Sequence, residues 1–179
     1  CSKVKIMKQK IKEDLQRYLM SQKQIDEMMP SCPDVEELWK KIGMSYLPDG
    51  IREFQSYPVS SLGWMMYIGM AIASYWDSEW EIYSKIEDLY VYMRNKRGYD
   101  YMDEYIREEV LVLSKEDSKR IENLVGECAS RTNSLLCHAN IEPGTQQAFQ
   151  AYVDALEQLY LFGMAIQLKR MGYKMMKCD

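Results

Sequence analysis

The chain is predicted to fold as an all-α bundle of seven or eight helices, forming one domain over residues 1–179. Three observations predict this. Apolar residues recur at three- and four-residue intervals along most of the chain, and no segment alternates convincingly at period two. Only 9 Gly and 5 Pro punctuate the sequence, too few for the turn clusters of an all-β protein. Hydrophobic residues make up 47% and charged residues 28%, a globular balance that supplies a core without metals or disulfides. The 14 Met and 14 Tyr are expected mainly in that core, where Met fills irregular gaps and Tyr combines an apolar body with a polar tip.

The first helix spans about residues 2–19, with Val4, Met7, Ile11, Leu15 and Tyr18 as its apolar stripe. Lys3, Lys5, Lys8, Lys10 and Lys12 flank that stripe as a solvated edge whose aliphatic stems cover it. Ser21 with Gln24 fits a capping box, so a short second helix through Ile25, Met28 and Met29 is expected, stopped by Pro30. Pro33 suits the first turn of a third helix, with Asp34, Glu36 and Glu37 at its positive end. Val35, Leu38, Trp39 and Ile42 form its buried face, and Pro48-Asp49-Gly50 reads as the turn that ends it. A loop continues to Pro58.

The fourth helix, about residues 59–76, is the most apolar, and nothing charged occurs between Glu53 and Asp77. Its strictly apolar part is shorter than the ~20 residues a membrane span needs, and Pro58, Ser and Tyr interrupt the run. It is therefore read as a core helix, buried on all sides. Asp77 and Ser78 either cap a fifth helix or sit in a bend of the fourth. Trp76, Trp80, Tyr83, Ile86, Leu89, Tyr90 and Met93 keep helical spacing up to Asn95-Lys96-Arg97-Gly98. A sixth helix covers about residues 100–113, with Met102, Tyr105, Ile106 and Val110 inward. Ser114 with Asp117 caps a seventh, through Ile121, Leu124, Val125, Cys128 and Leu135. After a loop at residues 140–145, a second apolar central helix covers about residues 146–174, through Phe149, Tyr152, Val153, Leu156, Tyr160 and Gly163.

Gly69-Met70-Ala71-Ile72 recurs as Gly163-Met164-Ala165-Ile166. Chance produces a four-residue match readily, so no duplication is inferred. Small residues let backbones approach, however, and the two central helices are expected to cross at these glycines.

Composition and motifs exclude several functions. A net charge of -4 argues against nucleic acid as a partner. His138 is the only histidine, which rules out any metal site drawing two histidines from this chain. No C-x-x-C pair occurs, so no metal or other cofactor is assigned. Cys137 and His138 are sequence neighbours, and on a helix such neighbours point about 100° apart, a poor geometry for a thiol and its base. His138 is read instead as a helix C-terminal residue suited to the dipole. Neither G-x-x-x-x-G-K-[ST] nor G-x-G-x-x-G is present. The five cysteines, Cys1, Cys32, Cys128, Cys137 and Cys178, are odd in number and scattered, unlike a disulfide scaffold.

The sequence offers one candidate functional segment. Trp76, Trp80 and Tyr83 share a helical face beside Asp77 and Glu81, a combination suited to a cation, a sugar or a protein partner. The competing reading makes these aromatics core and these acids solvated. Cys1, followed by Ser2 and lysines, resembles the start of a processed bacterial lipoprotein, and a chain whose upstream residues were left out begins the same way. The resemblance implies lipid attachment at Cys1, the one membrane connection expected. The cytoplasm and the bacterial envelope both stay open as compartments.

The reading that follows is a non-catalytic interaction or structural protein, tethered through Cys1 if the resemblance holds, that binds an unidentified protein or self-associates. The alternative is a small-ligand binder or enzyme with a carboxylate- and tyrosine-lined cavity between helices.

Overall fold

Prolines and polar caps set most of the helix starts. In a computed structural model describing residues 2–173, the chain forms eight α-helical segments and one π-helical turn, with no strand among the described residues. In chain order these are α1 (Ser2–Ser21), α2 (Pro33–Glu37), α3 (Trp39–Ser56), α4 (Pro58–Tyr83), α5 (Leu89–Arg97), α6 (Met102–Tyr105) running into the π-turn Ile106–Val110, α7 (Lys115–Cys137) and α8 (Gln146–Arg170). Pro33 and Pro58 occupy first turns, where the missing N–H costs nothing. Asp88, Ser114 and Thr145 are N-caps whose side-chain oxygens accept from the backbone N–H of Val91, Asp117 and Ala148.

The two apolar central helices are α4 and α8. They cross where the repeated tetrapeptides meet. A Cβ on Gly69 would lie 2.2 Å from the Tyr160 carbonyl oxygen, and one on Gly163 would lie 2.2 Å from that of Met66. Three residues forward in α4 correspond to three residues back in α8, so the helices run antiparallel through a locally twofold contact. Around this axis α1 and α7 cover one side and α3 another. Buried apolar residues from α1 through α8 form one continuous core, including Met7, Ile11, Leu15 and Leu19 of the α1 stripe. No helix among the described residues is long and apolar enough to cross a membrane.

Several expected boundaries are corrected. Residues 25–29 are not helical. Ser21 belongs to the end of α1, where its hydroxyl donates to the Tyr18 carbonyl. Lys23 then turns the chain at φ +59°, with Gln24 N–H bonding Leu19 O and Lys23 N–H bonding Met20 O, a Schellman stop. Helix α3 runs straight through Pro48-Asp49-Gly50. Proline removes one N–H, which leaves the carbonyl of Met44 free at a position 75% exposed, where water can serve it. Tertiary contacts hold the rest of this segment. Asp49 accepts from Tyr90 (2.6 Å), Arg94 (2.9 Å) and Arg52 (2.8 Å), and the bare Cα of Gly50 admits the Tyr46 ring and the Tyr152 hydroxyl.

The helical spacing from Trp76 to Met93 does not belong to one helix. Helix α4 bends at Glu79 (φ -143°, ψ 58°) and ends at Tyr83, and α5 starts afresh after its Asp88 cap. Phe149, expected inward, is 45% exposed. Gln146–Arg170 is the described extent of the last helix, and Lys174 lies outside the described residues.

Burial pushes the Asp49 carboxyl up, but the Tyr90 hydroxyl and the Arg94 and Arg52 cations outweigh it and hold the group below its ordinary value. A depressed carboxylate contributes stability that is whole above the unfolded-state pKa and is lost as pH falls through the folded value. The urea midpoint is therefore expected to fall as pH drops through and below the ordinary carboxylate range. Asp49→Asn should lower stability near neutrality and flatten that acid limb.

Candidate functional site

The five residues singled out by sequence do not converge. Trp76 donates its indole N–H to Asp34 (3.1 Å) and packs on Tyr173, whose hydroxyl donates to Asp77. This pair ties the end of α8 to α4 and α2. Beyond the Glu79 bend, Trp80 packs against the core and lines a recess of about 50 Å³ with Leu38, Ile42 and Leu89, room for little more than a water. Tyr83 stacks on Tyr75 at 3.9 Å between centroids. Glu81 is exposed, with no ion-pair partner among the described residues. Cys1 lies outside the described residues.

The thiols and the histidine are also apart in character. Cys32 and Cys128 are buried, and burial pushes the Cys128 thiol up to about 12. Cys137 is exposed on α7, and the His138 ring sits 2.7 Å from the Ser134 carbonyl at the helix end.

Aromatics and carboxylates do come together elsewhere. An open groove of about 550 Å³ lies between α4 and α7, with α6 at its edge. Val59, Ser60, Gly63, Trp64 and Tyr67 form the α4 wall at helical spacing. Glu122, Asn123, Val125, Gly126 and Glu127 form the α7 wall, and Asp103 projects from α6. The Trp64 ring is fixed by its indole N–H, which donates to the Tyr99 carbonyl at 2.7 Å, and it meets Tyr67 edge-on.

Behind the groove, Arg107 is only 7% exposed yet bonded on every side. Its Nη1 donates to the Tyr67 hydroxyl (2.9 Å) and Asp103 (2.9 Å), its Nε to Ser118 (3.0 Å), and Glu122 stands 3.5 Å from Nη2. Burial opposes its charge, but Tyr67 and Asp103 outweigh that and raise its pKa further. Burial likewise raises the Tyr67 hydroxyl to about 12 against the pull of Arg107, so it stays a neutral group. Arg107 belongs to the π-turn, where Leu111 N–H reaches Ile106 O. The turn closes through Val112 at φ +49°, a strained conformation for a β-branched residue. Wide turns of this kind recur at functional sites because they re-aim a side chain, here that of Arg107.

Gly126 is the most informative residue. It sits in the middle of α7, where glycine costs about 0.5–1 kcal/mol relative to alanine, yet a Cβ there would meet nothing within 4 Å. Packing within this chain does not call for it. Its missing side chain leaves that part of the α7 wall open. The lining carries three carboxylates and no basic side chain. Asp103 is engaged by Arg107 and Glu127 by Arg131 (2.9 Å). Glu122, half exposed, has its nearest cations at 3.5 and 3.7 Å and is the acid best placed to meet a ligand.

The periodicity assigned Trp64 and Tyr67 to an all-apolar core helix and did not connect them with Asp103, Arg107 and Glu122. The usable signal was Gly126, an isolated glycine inside an amphipathic pattern. Comparison with models of protein families, with curated proteins and with solved structures found no match to this chain.

Proposed function

We propose that the chain is a non-catalytic interaction protein whose α4–α7 groove receives a cationic segment of a partner protein. The observation that carries this reading is Gly126: a helix-interior glycine that the fold does not need, facing an open groove, suits close approach by another molecule. The chemistry of the walls supports a cation. The half-exposed Glu122 offers ionic contact to a lysine or arginine side chain, and Trp64, Val59 and Val125 offer apolar contact to its stem. Trp64 is already anchored, so little side-chain freedom is lost on binding.

The test uses substitutions that fill the groove without harming the fold. Gly126→Ala should raise stability by about 0.5–1 kcal/mol in urea denaturation. Gly126→Leu should remain folded. Titration of the wild-type protein with a lysine-rich helical peptide should shift the Trp64 indole resonance, and the effect should weaken with salt. Gly126→Leu should abolish the shift and Glu122→Gln should diminish it. An equal response to a glutamate-rich peptide, or an unchanged response in Gly126→Leu, would overturn the reading.

A further inference from the structure

Among the described residues, the buried polar or charged side chains Ser61, Arg107, Thr132 and Gln167 are all bonded within the chain. Gln158 is the exception. It is only 6% exposed, yet neither atom of its amide has a hydrogen-bond partner among the described residues. Folded proteins rarely leave a buried amide unmet, because the desolvation cost is then uncompensated. The little surface that Gln158 keeps opens into a recess of about 240 Å³, bounded by α1, α8 and the segment leading into α2. Gln158, Leu161, Phe162 and Ala165 follow one another at helical spacing along its α8 wall, and Met29 adds a further apolar side chain. The volume lies below the roughly 300 Å³ at which drug-sized pockets begin, and suits a smaller occupant.

Both signs of charge border this recess. Helices α1 and α8 run parallel, with Lys8 on Glu157 (2.8 Å) and, past the end of α1, Asp26 on Lys169 (2.8 Å). Lys12, one turn beyond Lys8, is therefore level with Leu161, one turn beyond Glu157. An apolar residue stands where the preceding turn has an acid, and Lys12 has no carboxylate within ion-pair distance among the described residues. Glu36, on α2, accepts from the Ser31 hydroxyl (3.0 Å) and likewise has no cation within ion-pair distance among the described residues.

We propose that this recess binds a small apolar zwitterion of the α-amino acid class. The ligand carboxylate accepts from Lys12 and from Gln158 Nε2. Its ammonium donates to Gln158 Oε1 and Glu36, and its side chain lies against Leu161, Phe162 and Met29. An amide offers one donor group and one acceptor oxygen, and a ligand carrying both complements meets the two at once. A simple carboxylate would face Glu36 and leave Oε1 unmet, and a simple amine would do the same to Lys12 and Nε2. The recess shares no residue with the α4–α7 groove, so either site can fail without the other.

Saturation-transfer NMR of the full chain with norleucine, hexanoate and hexylammonium, probes of matched chain length, tests this. Norleucine should saturate with a Kd on the order of 1 mM. It should bind about tenfold tighter than either singly charged probe, the worth of a hydrogen bond to a charged group. Lys12→Gln should erase its advantage over hexylammonium, and Glu36→Gln its advantage over hexanoate. Gln158→Leu should bind none of the three, with a urea midpoint at or above the wild type's, because an apolar side chain of similar size replaces an unbonded amide. Equal affinity for norleucine and either other probe, wild-type binding or a markedly lower midpoint in Gln158→Leu, or no saturable signal by about 20 mM would overturn the proposal.

Discussion

Gly69→Ala should destabilise the protein by about 3 kcal/mol, near the upper end of what one added methyl costs in a packed interior. The methyl would point at the backbone carbonyl of Tyr160, 2.2 Å from the ideal Cβ position, and no rotamer change can move a backbone. Relief requires α4 and α8 to separate, and that contact is the centre of the core. Against a typical total of about 5–15 kcal/mol, such a loss is severe. Gly163→Ala should cost a similar amount, because its methyl meets the Met66 carbonyl in the reciprocal position. The double variant should lose clearly less than the sum, since helices already separated by one methyl have room for the other. Urea midpoints of the four proteins measure this directly. A change under about 1 kcal/mol in either single variant would mean the crossing yields easily, contrary to the close packing expected of interiors. Gly126→Ala, with the opposite sign, is the control for helix propensity.

Arg107→Ala is expected to cost about 3–5 kcal/mol, the range for removing one partner of a buried ion pair. The loss strands the Tyr67 hydroxyl, Ser118 and the Asp103 carboxylate together. Arg107→Lys should recover only part of it, because one ammonium cannot reproduce bonds made from Nε and Nη1 in a planar fork. Tyr67→Phe should cost about 1 kcal/mol, the worth of one ordinary hydrogen bond. Because Tyr67 packs against the Trp64 ring, Arg107→Ala should also move the Trp64 indole resonance before any ligand is added. An Arg107→Ala variant with wild-type stability and an unmoved resonance would separate the arginine from the groove.

Much of the fold is legible locally. The α1 stripe, the Pro33 start, the Ser114 cap and the Gly98 stop all occur where residue chemistry places them. Each signal acts within a turn or two of helix, which is why single-sequence reasoning reaches it. Even the central crossing was visible, because two glycines inside apolar helices have few uses other than close approach. Pro48-Asp49-Gly50 misleads for the complementary reason. It carries the chemistry of a turn, and Tyr90, Arg94 and Tyr152, from distant parts of the chain, hold it helical. The spacing from Trp76 to Met93 likewise continues across a break, because both helices on either side of it bury one face against the same core.

Local chemistry along the chain is enough to make this protein helical, to start most of its helices, and to bring two apolar helices together at Gly69 and Gly163. Periodicity, capping and side-chain size are properties of neighbouring residues, so they can be read along the chain. Where aromatics and acids meet depends on the packing of helices distant in the chain. It separates Trp76 and Asp77 from Trp80, Glu81 and Tyr83 at the Glu79 bend, and it assembles Trp64, Tyr67, Asp103, Arg107 and Glu122 instead. A groove is a relation between helix faces, and which faces meet depends on how every other face is buried.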